Sequence, residues 1–145
     1  LSLSRTVCPT IAITSWRPFQ WRGEGPWVYL KSGDILQTDA DVLVIPVDPL
    51  FECSTVITKA LFRTNPAVKQ AIADRHFKLE AKNIPGIGEP VYIAIRSPAP
   101  PVLASGVIFV VGPDYRASRE LIVNQMCTLF KNCIVEVCVI VMSGQ

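Results

Sequence analysis

The sequence predicts an α/β fold, a three-layer α/β/α sandwich built on a mixed, mostly parallel sheet. Three observations carry this. Short continuous apolar runs at Val42–Val47, 91–95 and 107–111 are too brief for helices and are bounded by Asp, Pro or Gly, the pattern of strands covered on both faces. Segments at 57–61, 68–79 and 119–131 place apolar residues near helical spacing, and strands alternating with helices in this rhythm sandwich a sheet between helical layers. The length, 145 residues, suits one domain with a core large enough to need no disulfide or metal.

Element by element, residues 10–16 and 27–30 are β-branched or aromatic and flank the turn-forming Arg-Gly-Glu-Gly-Pro stretch, so they read as strands joined by a loop. Residues 1–26 form an N-terminal extension with an edge strand. Val42–Val47 lies between Asp41 and Asp48 with Pro46 near its end. Ser54 or Thr55 caps a helix through Ile57, Ala60 and Leu61, and Asn65-Pro66 stops it and starts the next. That second helix carries Val68, Ala71, Ile72, Arg75 and Leu79 as its stripe. Residues 84–88 are a loop by composition, and the prolines at 98–101 make an exposed turn or connector. Residues 107–111 end at Gly112-Pro113, and 119–131 form a helix with Ile122, Val123, Met126, Leu129 and Phe130. Residues 135–142 close the chain as a strand. Strands at 28–31, 42–47, 91–95, 107–111 and 135–142 are therefore expected in one sheet.

Fourteen basic and twelve acidic residues leave a net charge of +2 with both signs mixed along the chain, which neither demands nor excludes nucleic acid. The five cysteines, Cys8, Cys53, Cys127, Cys133 and Cys138, include no C-x-x-C pair and share the chain with one histidine, His76. Structural zinc is not expected on those counts, and buried free thiols in a reducing, cytoplasmic compartment are. The apolar stretches are interrupted every few residues, and none approaches the roughly 20 a membrane span needs. The chain opens with Leu1 and no signal-type run, and reads as a piece of a longer protein.

Four ordered segments carry a resemblance. Lys31-Ser32-Gly33-Asp34-Ile35-Leu36 followed by Ala40-Asp41-Val42-Leu43-Val44, then Gly88-Glu89-Pro90-Val91-Tyr92-Ile93, then 106–115 (Gly-Val-Ile-Phe-Val-Val-Gly-Pro-Asp-Tyr) are similar to the Gly-Asp-Ile turn, first buried strand, Gly-Glu-Ala-Val strand and Val-Gly-Pro segment of the macro domain family. Where that family has Asn-Ala-Ala-Asn, five variable residues, three glycines and a Val-x-x-Ala-Ile helix start, this chain has Ile45-Pro46-Val47-Asp48, residues 49–53, Ser54-Thr55-Val56 and Ile57-Thr58-Lys59-Ala60-Leu61. The spacing is kept and the chemistry is not. At the end, residues 135–145 match either the family's last strand or the strand before its second phosphate loop; in either case the domain is C-terminally shortened. Divergence of this order suits a viral replicase polyprotein, hence a host cytoplasm.

The resemblance implies binding of ADP-ribose or a related adenine nucleotide, with Asp34 and the Ile35 amide at the adenine, Asp48 near the distal ribose, Ser54, Thr55, Val56 and Ile57 at the diphosphate, and Gly112 and Pro113 closing the site. Read from the residues alone, Asp34 equally serves as a turn cap. Glycine amides at a helix start approach a diphosphate closely, whereas Ser54, Thr55 and Val56 bring Cβ atoms into that space. Asp48 adds a charge whose repulsion costs on the order of 1 kcal/mol or more at intermediate dielectric. Weak binding without efficient hydrolysis follows, with no catalytic residue and no cofactor assigned. His76 reads as a structural histidine, and Cys53, before the helix start, as a nucleophile only if the dipole acts on it. Two further readings stand. Trp16, Phe19, Trp21 and Trp27 interleave with Arg17 and Arg22, a mixture that either stacks on RNA or docks a protein or else packs over a sheet edge. A true ADP-ribosyl hydrolase acting through substituted residues is the third.

Overall fold

The computed structural model describes residues 19–20, 23–25, 27–78 and 85–144, with the backbone alone at Phe19 and at 76–78. They divide between two compact units, residues 1–34 and 35–145. In the first, β1 (Phe19–Gln20) pairs antiparallel with β2 (Trp27–Val28), Phe19 opposite Val28 and Gln20 opposite Trp27. Gly23 takes φ +75° in the turn between them, a conformation glycine adopts without strain. The expected strand at 10–16 lies outside the described residues, and 28–31 is a correction: the pairing ends at Val28, and β2 joins the two-stranded ribbon, not the main sheet.

The second unit begins with a single 3₁₀ turn at Ile35–Gln37 and continues through β3 (Val42–Val47), α1 (Val56–Thr64), α2 (Pro66–Lys78), β4 (Pro90–Ala94), β5 (Gly106–Val111) and α3 (Arg119–Met142). Its sheet has the order β3-β5-β4, with β5 parallel to β3 and antiparallel to β4. Every residue of β5 is buried, and its side chains alternate between faces as the pleat requires. Val107, Phe109 and Val111 join Leu43, Ile45, Ile93 and the helix residues Leu61, Val68 and Ile72 in one core. Ile108 and Val110 join Leu129, Cys133 and Ile140 of α3 in the other. Helices α1 and α2 thus cover one face and α3 the other, which makes the three layers. Among the described residues β3 and β4 are edge strands, where Pro46 and Pro90 remove no ladder donor that a central strand would need.

Local chemistry sets the helix ends. Of the two candidate caps Thr55 is the one used: its hydroxyl accepts the Thr58 N–H at 3.3 Å, and Asn65 ends α1 with its own N–H donated to the Leu61 carbonyl. Pro66 then opens α2, where a missing N–H costs nothing. Ser118 caps α3 by accepting from the Leu121 N–H. Gly88 holds φ +78°, and a Cβ there would meet the Leu129 backbone at 3.4 Å. Asn132 Nδ2 donates to the Gly88 carbonyl at 2.8 Å, and the Gly88 N–H donates to the Val111 carbonyl at 2.9 Å. The glycine of the Gly-Glu-Pro-Val segment is thereby pinned between α3 and β5.

Residues 135–142 are a second correction, because they are helical. No Gly or Pro interrupts 119–143, and β-branched residues lower helix propensity by only about half a kcal/mol each. Cys133, Val137 and Ile140 continue the stripe begun by Leu129 onto the sheet. The result is one helix of 24 residues whose most apolar stretch has mean hydropathy 1.6 and is 17% buried. The expectation that no segment approaches the apolar length of a membrane span is therefore also corrected, since α3 is long and apolar enough by length and composition alone.

Candidate functional site

Ligands of open α/β sheets lie beyond the carboxyl ends of the parallel strands. Here those ends are Val47 of β3 and Val111 of β5, which face each other in register. Asp48 leaves β3 and Gly112 leaves β5, so the resemblance-derived residues of both loops converge on one end of the sheet. Asp34 belongs to the first unit, where it is exposed. Ile35 opens the 3₁₀ turn and packs partly buried against the core.

The loop from Asp48 to the α1 cap is closed upon itself. Asp48 Oδ1 accepts the N–H groups of Leu50 at 3.1 Å and Glu52 at 3.0 Å, and Oδ2 accepts that of Cys53 at 3.0 Å. Phe51 and Cys53 reach this arrangement at φ 58° and 54°, left-handed conformations that cost non-glycine residues energy unless their surroundings hold them. Thr58, fully buried, donates its hydroxyl to the Cys53 carbonyl at 2.7 Å. The loop amides that could cradle an external anion thus already serve an internal one.

Ser54, Thr55 and Val56 project from the rim of this loop, all exposed, Val56 at 85%. Thr55 spends its hydroxyl on the helix cap, and Ile57 is 38% exposed in the first turn of α1. In the loop after β5 Gly112 is half-buried and Pro113 buried. Asp114 follows them, and its carboxylate accepts both the backbone and the Nε hydrogens of Arg116 at 3.0 and 3.1 Å. Those bonds hold its carboxyl below the usual carboxylate range.

Cys53 is buried, and burial, with the Asp48 charge second, pushes its thiol up to about 11. The helix start does not make it a thiolate. Cys133 is buried as well, whereas Cys127 and Cys138 are exposed, so the expectation of buried thiols is corrected for those two; Cys8 lies outside the described residues. No three His, Cys, Asp or Glu side chains gather as a metal site among the described residues. The side chain of His76, and Trp16, Arg17, Trp21 and Arg22, also lie outside them. Sequence reasoning missed Thr58, whose signal was a threonine three residues after a capping threonine, and Asn65, read only as a helix stop.

No protein-family model matches the sequence, and no curated protein does. Solved structures do match. An Oceanobacillus iheyensis macrodomain with MES bound superposes with a TM-score of 0.61 at 17% identity, over 74% of this chain and 55% of that one. The fold is that of a macro domain. The same macrodomain with ADP gives a TM-score of 0.60 at 16% identity, over 74% and 55%. The macro domain of ganglioside induced differentiation associated protein 2 gives 0.51 at 15% identity, over 70% and 46%. The chain spans about half the length of these macro domain structures.

Proposed function

We propose that this chain is a nucleotide-binding module of the macro fold that takes ADP-ribose or a related adenine nucleotide at the carboxyl ends of β3 and β5, weakly and without hydrolysing it. The observation that carries the reading is the Asp48 carboxylate seated on the Leu50, Glu52 and Cys53 amides, at the place in the fold where a diphosphate would look for the same donors. Solved macrodomains of similar fold hold ADP and, in a mutant form, ADPR, which supports the ligand class. A diphosphate here must displace or lie beside a negative charge, which supports weakness. The protonated Cys53 thiol offers no nucleophile, which supports a binding role over a hydrolase. The remaining sequence-derived roles, Asp34 at the adenine and a cytoplasmic setting, the host's if the parent is viral, belong to this proposal.

Titration calorimetry with ADP-ribose tests it. Dissociation constants of about 0.1 to 1 mM, near −5.5 to −4 kcal/mol, are expected, with no ribose product released on long incubation. Submicromolar binding, or turnover, would defeat the reading, as would silence at millimolar ligand. An interaction module is the second reading. It is favoured by Trp27 and Tyr29, 59% and 61% exposed, with Lys31 Nζ 5.9 Å from the Tyr29 ring, a surface able to stack on single-stranded RNA.

A further inference from the structure

A cavity of about 390 Å³ opens between α2 and the edge strand β4. It lies at the other end of the sheet from the loops above, because Ala94 pairs with Gly106 at the start of β5 and not with its end. Val68 and Ala71 of α2 and Ile93 of β4 give it apolar walls, while Asn65, Arg75 and Arg96 bring polar groups to it. The volume falls in the range of small-molecule sites, which combine apolar walls with a few convergent polar groups.

The guanidinium groups of Arg75 and Arg96 are donors only. Arg75 and Arg96 are exposed and neither forms an ion pair with a described carboxylate. Asn65 is 8% exposed and its Nδ2 is buried without a hydrogen-bond partner among the described residues, a state that native proteins rarely leave uncompensated. Among the described residues no Asp or Glu lines the cavity. Two guanidinium groups, with the unsatisfied Asn65 amide buried beside them and no described carboxylate in the lining, complement a ligand rich in acceptors, and guanidinium forks suit the planar or tetrahedral oxygens of carboxylates and phosphates.

We propose that this cavity is a second binding site, for a small organic anion whose carboxylate or phosphate head is received by Arg75, Arg96 and Asn65 and whose apolar body lies against Val68, Ala71 and Ile93. The proposal does not depend on the nucleotide reading. The test is an NMR titration of the isotope-labelled full chain with benzoate, with inorganic phosphate and with the neutral benzyl alcohol, following the backbone amides of 94–97 and the Asn65 side-chain amide. A saturable shift by at least one anion is expected, weakened about tenfold or more in the Arg75→Ala/Arg96→Ala variant, with benzyl alcohol at least as much weaker than benzoate if benzoate is the anion that binds. Saturation by benzoate alone assigns a carboxylate head, and by phosphate alone a phosphate head. No saturable shift with either anion, an unchanged affinity in the double variant with its spectrum otherwise native, or benzyl alcohol binding as well as benzoate would each overturn the proposal. Both arginines are on the surface, so the double variant is expected to fold.

Discussion

Asp48 and Cys53 are joined across the loop that follows β3, the carboxylate of the first accepting the backbone N–H of the second at 3.0 Å. With the Leu50 and Glu52 bonds this makes Asp48 the organiser of the loop and, on the proposed function, the charge a ligand must contend with. Asp48→Ala should lower stability by about 1 to 3 kcal/mol, since three amides lose their acceptor. Asp48→Asn should lose less stability and bind ADP-ribose more tightly than wild type, the charge being gone. Melting temperature and calorimetry on both variants decide this; equal affinity in wild type and Asp48→Asn would refute the electrostatic half.

Replacing Ser54, Thr55 and Val56 together by glycine should strengthen ADP-ribose binding by opening the loop rim to a diphosphate. The cost is modest, because glycine at the Thr55 cap loses only a few tenths of a kcal/mol and Ser54 and Val56 are exposed. A folded triple variant with unimproved affinity would remove steric obstruction as an explanation.

Cys53 gives the protein an alkaline signature. Its thiol is pushed from 9.0 to about 11, so between those values the unfolded chain has released a proton that the folded chain retains. The protein binds more protons than its unfolded state there, and stability falls as pH rises. Stability contributed by this group is complete below pH 9 and lost as pH climbs through about 11. Urea midpoints measured from mildly to strongly alkaline pH should decline more steeply in wild type than in Cys53→Ala, and a thiol reagent at mildly alkaline pH should label Cys127 and Cys138 well before Cys53.

Gly88→Ala should destabilise the fold by about 1 to 3 kcal/mol, combining a left-handed backbone that alanine resists with the approach of the Leu129 backbone. A variant melting no lower than wild type would show that α3 can retreat.

Val135→Ala and Val139→Ala lie on the exposed side of α3, both 55% exposed. Each should stabilise the helix by roughly half a kcal/mol, the difference in propensity between a β-branched residue and alanine. In a strand the same changes would weaken the protein, so the sign of the melting shift tests the helix itself.

The strands of the main sheet were legible because Val42–Val47 and the runs inside 90–95 and 106–111 are short, apolar and punctuated. The Thr55 cap and the Asn65-Pro66 junction were equally legible, each being a local signal. The segment at 135–142 was not. Its valines and isoleucine favour a strand by local preference, and what makes it helical is a tertiary fact, the alignment of Cys133, Val137 and Ile140 with one face of the sheet. At the site, residue identities at 48 and 54–56 warned of altered chemistry. That Asp48 turns inward onto its own loop required left-handed backbone at Phe51 and Cys53, which neither residue type announces. The cavity beside α2 left no sequence signal, since it arises from Asn65, Arg75 and Arg96 meeting across separate elements.

The register of β5 with its two neighbours also orders events in time. Gly106 pairs with Ala94, a short way back along the chain, and with Val42, several times further away. Closing the longer loop forfeits more chain entropy and waits on more of the core, so the β4–β5 pair is positioned to assemble first and β3 to dock onto it late. The Asp48 loop hangs from that late-arriving strand. Its amides, compared with those of β5, should be the earlier to surrender their hydrogens in exchange experiments, so the end of the sheet proposed to take the nucleotide would be the last part built and the first part lost.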